Sequence, residues 1–303
     1  MERNARLKKR IGAWKTAFSD ETNGVFPTLQ KLYWNYAAFR TAIAIMRYAS
    51  AHPEKDLEPN SLLLDMVADA FWQGTLLGVR RLLEHGDLSS HVGVHSLRSI
   101  IRDVEANRMR ITRRVYVEDI AGLPYDYETL ERQEYETLAA LPAGTARWGS
   151  TDAFVSRLRH EQFDFLSGVA PANRAANDKI KSEVFDKLER RLAELDSISD
   201  HVSSHIAHSG NATSRAGKDL GNFDIRDARD ALKQLTEVAQ VAGGWFAYDG
   251  GADLATAQYD QFAGLDKPLV DGDGLQFLSE NWDKVDREIT SWLQVTNEQI
   301  DKW

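Results

Sequence analysis

Apolar residues recur at intervals of three and four along almost the whole of this chain, and a spacing of that kind folds as helix. From Thr28 onward Leu29, Leu32, Tyr33, Tyr36, Phe39, Ile43 and Met46 share one side of a helix, with Pro27 suited to its first position. His52-Pro53 and the Glu58–Ser61 turn break it. A second helix carries Leu64, Val67, Phe71, Thr75, Val79 and Leu82 on one face and ends at Gly86-Asp87. A third runs from about Ser96 to Asn107. Further helical patterns cover 125–141 and 151–168. A long charged helix follows from Pro171, with Ile180, Val184, Leu188, Leu192, Leu195 and Ile198 as its seam, and stops at Ser209-Gly210-Asn211. Another spans Ile225 to Tyr248, and a Trp-rich terminal helix carries Trp282, Ile289, Trp292 and Leu293. Strand-like alternation is confined to Arg114-Val115-Tyr116-Val117. The expectation is an all-α helical bundle: one helical domain over 20–248 and a C-terminal helical extension over 249–303.

Bulk properties narrow the function classes. A net charge of −9 over 303 residues argues against broad sequence-independent nucleic-acid binding, though not against a local basic cleft. With no cysteine, thiol nucleophiles and Cys-ligated zinc are excluded. No P-loop, no GxGxxG after a strand and no GxSxG elbow occurs. Asp271-Gly272-Asp273-Gly274 fails as a calcium loop, because Leu275 stands at its fifth position. The basic start is not followed by an apolar segment, and no apolar run approaches the roughly 18–20 residues that span a bilayer. A cytoplasmic protein with no membrane partner is expected.

The densest chemistry is His201, His205 and His208, at the i, i+4, i+7 spacing of one helix face. Three readings are open. Imidazolium suits the negative end of a helix dipole. An i, i+4 pair with a third imidazole can ligate a metal, although the Glu of the zinc-protease helix is replaced by Val202. The third reading rests on the residues around His208.

That third reading comes from a resemblance. Ser203-Ser204-His205-Ile206-Ala207-His208 resembles the ending of a HEPN domain, the higher-eukaryote and prokaryote nucleotide-binding helical domain. More narrowly it is similar to the abortive-infection U-type HEPN-like family, whose pattern is an Arg, a polar pair often Asn-Lys, two variable residues and Ala-His. Phe71-Trp72-Gln73-Gly74, Val79-Arg80-Arg81-Leu82-Leu83, Ser96-Leu97 and Thr112-Arg113 follow in the family's order, so the resemblance covers about 28–248. It implies a HEPN-like bundle, a homodimer, an antitoxin-like protein partner and a bacterial defence or toxin-like role on RNA. It also implies His208 as the principal catalytic residue and His205 as its partner, with no cofactor. Where the family has its motif Arg this chain has Val202, which offers a phosphate neither charge nor donor. A non-catalytic module binding RNA, nucleotide or protein is therefore the second reading, and a metal enzyme using the three histidines the third.

Residues 98–114 form the densest basic run. Arg98, Arg102, Arg110 and Arg113, with Arg108 and Arg114, are candidates for RNA phosphate contacts, and Tyr116, Tyr125 and Tyr127 for base stacking. Alternatively, Arg98 and Arg102 pair with acids of the charged helix 171–200, and Arg80 and Arg81 are buried ion-pair partners.

Overall fold

The computed structural model describes residues 2–55, 57, 60–88, 93–142, 144–145, 149–207, 212–250, 262–267 and 272–292. Two compact units divide the chain, Met1–Thr256 and Ala257–Trp303. The described residues are helical and contain no strand, only an isolated antiparallel bridge between Thr112 and Lys179. The segment with strand-like alternation is instead a short helix, α5 (Arg113–Val115), continued by a π-helical turn, Tyr116–Ile120. Its inward residues Tyr116, Val117 and Ile120 are fully buried.

The first unit begins with α1 (Glu2–Ser19), a helix the apolar spacing from Thr28 does not include. Leu7, Ile11, Trp14, Ala17 and Phe18 bury its inner side, and the Trp14 indole donates to Asp103 across 2.6 Å. α2 (Val25–Ala51) starts two residues before Pro27, capped by Gly24. Proline is tolerated there because first-turn amides have no partner inside the helix. α3 (Ser61–Leu83) packs back along α2, since Gly78 meets Leu32 and Phe71 stacks on Phe39 at 4.2 Å, which fixes the pair as antiparallel. A Cβ at Gly78 would lie 2.6 Å from Leu32, so the close approach depends on that glycine. By length and composition α3 could cross a membrane, contrary to the expectation of no such run. Its last half instead lies in the core through Phe71, Leu76, Val79, Leu82 and Leu83.

α4 (Leu97–Asn107) opens with a reciprocal cap, Ser96 and Ser99 each bonding the other's backbone amide. Leu97, Ile100, Ile101 and Val104 are its buried face. α6 (Tyr127–Ala139) and α7 (Asp152–Ser167) follow. The expected long helix from Pro171 is broken: a short 3-10 turn, an irregular stretch, then α8 (Ser182–Ala193) and α9 (Asp196–His201). Between them Leu195 bonds back to Leu192 and Ile198 to Leu195. These i→i+3 turns suit the spacing of 192, 195 and 198, and all three residues stay buried. A π-helical turn, Val202–Ala207, extends α9. After α10 (Ala212–Arg215), α11 (Ile225–Phe246) runs unbroken through Gly243-Gly244 and packs against α1, α2, α3, α4 and α8. In the second unit the described residues are a turn at 262–267 and α12 (Gly272–Trp292), on which Leu275, Leu278 and Trp282 are exposed.

Candidate functional site

α9 and its π-helical turn carry His201 and His205, and Arg98 holds the start of that element. The Arg98 side chain is 2% exposed and meets Glu189 of α8 at 3.0 Å and Asp196, the first residue of α9, at 2.8 Å. It also donates to the Leu83 carbonyl at the end of α3 and to Nε2 of His85. Loss of solvent, with the charges of Arg102 and Arg98 beside it, lowers the pKa of His85, so this ring accepts the bond as a neutral base. Arg98 is thus spent on tying the end of α3 and the start of α9 to α8, and presents no face to a ligand. Arg102 does reach solvent, 3.6 Å from Glu189.

Arg113 is likewise interior. It bonds Asp164 at 2.7 Å, Asp178 at 2.9 Å and the His160 carbonyl at 2.9 Å. Asp164 accepts from Arg174 as well; burial opposes its ionisation, but those guanidinium bonds hold its carboxyl below the usual range. Arg110 is half-buried, with one guanidinium nitrogen 3.4 Å from Asn107, and Arg114 lies exposed over the Tyr125 ring at 5.0 Å. Tyr116 is not a surface residue: it is fully buried, and its hydroxyl donates to Gln162. Tyr125 and Tyr127 remain half-buried around His160.

At the other end of α9, His201 and His205 stack with ring centroids 4.3 Å apart and planes 12° from parallel. His201 Nδ1 faces the Lys218 carbonyl at 3.1 Å. His205 Nδ1 lies 2.9 Å from Ser204 Oγ and 3.3 Å from the His201 carbonyl, while the Ser204 hydroxyl is given to the Asp200 carbonyl. A ring nitrogen against a carbonyl oxygen must carry the hydrogen, so both neutral rings leave the lone pair on Nε2. Such a ring can take a proton at Nε2. His208 and His91 lie outside the described residues, and His95 is half-buried with Nδ1 unpartnered. Among the described residues no group of three or more His, Asp or Glu is placed to hold a metal ion.

Val202, at the position where the motif has Arg, is fully buried. A different arginine, expected from the sequence only as a buried ion-pair partner, lies beside this turn. Arg80 of α3 is half-buried, and its Nε donates to Ser203 Oγ across 3.0 Å. It makes no ion pair among the described residues, so the expectation of an ion-paired Arg80 is replaced by a hydroxyl contact. Arg81 bonds Asn23 instead. Only tertiary packing brings residues 80 and 203 together, and no local spacing signals it.

A groove of about 490 Å³ lies between the start of α9 and α11 and is lined in part by Glu194, Asp227 and Asp230, a setting that repels phosphate.

Comparison with known proteins gives one family. The family model HEPN_AbiU2, described as AbiU2, matches residues 17–262. No curated protein and no solved structure matches the chain.

Proposed function

Since the chain belongs to the HEPN_AbiU2 family, we propose that it is a cytoplasmic abortive-infection protein that cleaves RNA without a metal, using His208 and His205. The family match reaches across the motif turn, and the observation that carries the reading is the state of His205. Its Nδ1 hydrogen is engaged by Ser204 and the His201 carbonyl, so Nε2 is left as a base.

RNA cleavage of this kind is a transesterification. The 2′-oxygen attacks the adjacent phosphorus and gives its proton to one imidazole. The bond from phosphorus to the 5′-oxygen breaks, and that oxygen takes a proton from the second imidazole. A 2′,3′-cyclic phosphate and a 5′-hydroxyl result, with no co-reactant. In this reading Arg102 and Arg110 contribute to RNA binding, whereas Arg98 and Arg113 act from the interior. A homodimer is supported by the exposed apolar residues Ile45, Met46, Leu62, Leu63 and Met66 at the free end of the α2–α3 pair.

One observation favours a second reading, a non-catalytic RNA-binding module: the motif position Val202 is a core residue without charge. Wild type and His208→Ala, incubated with total bacterial RNA with and without chelator, separate the two. Cleavage that is lost in the variant and indifferent to chelator is the expected result. Intact RNA under every condition overturns the ribonuclease reading in favour of binding alone, and cleavage stopped by chelator points to metal chemistry.

A further inference from the structure

We propose that Arg80 supplies the phosphate-binding cation that Val202 cannot, by presenting its guanidinium to the RNA backbone beside the histidine turn. This rests on the RNA-directed reading above and names a further residue of the same site.

Val202 faces the core with no exposed surface, so a side chain at that position does not reach a ligand. α3 packs against both α9 and the π-helical turn, and it delivers Arg80 to the neighbouring residue, Ser203. The contact uses Nε alone. Among the described residues neither Nη atom makes a hydrogen bond or an ion pair, although Glu84 sits four residues on. Those two Nη donors can bind two phosphate oxygens, and the Ser203 bond through Nε fixes the plane in which they lie.

The other interior arginines are differently placed. Arg98, Arg113 and Arg174 meet carboxylates, and Arg159 meets the backbone carbonyls of Gly244 and Trp245. Arg80, held by a neutral hydroxyl, keeps its full charge for an anion. In the transesterification its donors would face the two non-bridging oxygens, whose charge rises as the 2′-oxygen adds to phosphorus.

The test uses the full chain and a single-stranded RNA oligonucleotide, with binding measured over a salt series and cleavage measured alongside. Arg80→Gln retains an amide donor for Ser203. It should melt with wild type, lose about 10²–10³-fold in cleavage rate, and show a salt slope of binding shallower by about 0.7, one phosphate contact on a single strand. Arg80→Lys should restore the slope but only part of the rate. A glutamine variant with the wild-type slope overturns the proposal whatever its rate. If the glutamine variant does not fold, the lysine variant decides: cleavage at the wild-type rate overturns the need for a guanidinium. An Arg80-dependent slope without any cleavage upholds Arg80 and defeats the ribonuclease reading, whereas wild type that binds no RNA defeats both.

Discussion

Arg113 donates to Asp164 across 2.7 Å from a position wholly closed to solvent. Two residues from one basic run therefore have opposite fates. Arg113 is a buried cation whose charge is balanced by Asp164 and Asp178, while Arg102 stands at the surface beside Glu189. Removing one member of a buried pair leaves the other charge uncompensated, at a cost of about 3–5 kcal/mol. An exposed pair contributes about 0–1 kcal/mol. Arg113→Ala should accordingly lower the urea midpoint sharply, with Arg102→Ala close to wild type. Equal midpoints for the two variants would contradict the buried network.

The stacked pair His201 and His205 makes a spectroscopic prediction. Both Nδ1 atoms are committed to backbone carbonyl or hydroxyl oxygen, so long-range ¹H–¹⁵N correlation at pH above 7.5 should show Nδ1 protonated and Nε2 bare in both rings. A protonated Nε2 on His205 would remove it as a candidate base and leave the acid–base roles without this partner.

How far the sequence discloses this depends on how local the signal is. α4 is legible end to end, because its cap, Ser96, and its apolar face, Leu97, Ile100, Ile101 and Val104, lie within nine residues of one another. α1 has a similar stripe in Leu7, Ile11, Trp14 and Phe18, but Lys8, Lys9, Arg10 and Lys15 between them make it read as a basic start. The break at Leu195 carries no Pro or Gly, and only the three-residue spacing of Leu192, Leu195 and Ile198 hints at it. At the candidate site the histidines announce themselves by spacing. The partner of Arg80 does not, since Ser203 lies 123 residues away, whereas the alternative of Arg98 paired with acids of 171–200 is the one that Glu189 and Asp196 realise. Charge density in 98–114 suggested a ligand surface, yet folding turns Arg98 inward to acids of 171–200 and Arg113 to Asp164 and Asp178, which no local pattern links to it.

Arg159 tests whether a buried cation can be held without a carboxylate. It is 5% exposed, with its guanidinium 3.9 Å from the Tyr116 ring and 4.9 Å from that of Tyr248. It donates to the Gly244 and Trp245 carbonyls in the last turn of α11, where unpaired carbonyls collect negative charge. Arg159→Lys keeps the charge but cannot span both carbonyls with a planar fork. A loss of about 1–3 kcal/mol is expected, read as a lower melting temperature. A lysine variant as stable as wild type would reduce this contact to simple charge.

His160 sets a pH limit on stability. Its Nε2 hydrogen goes to the Tyr125 carbonyl at 2.9 Å, and Nδ1 is buried with no partner. Burial lowers the pKa of the ring, and the charges of Arg113 and Arg174 lower it further, against the opposing influence of the Tyr125 carbonyl and Asp164. An unfolded histidine titrates near about 6.5. Below that pH the unfolded chain takes up a proton that the native ring resists, so stability is full above about 6.5 and falls as the pH drops toward the native pKa. His85 is lowered too and contributes in the same direction. Asp164, held below the carboxylate range, loses its contribution only at more acidic pH, so the two windows are separate. Urea midpoints at pH 7.5 and 5.5 should therefore differ for wild type and differ less for His160→Gln, whose amide still donates to Tyr125. If the two proteins lose the same stability between those pH values, proton exclusion at His160 is not what sets the acid limit.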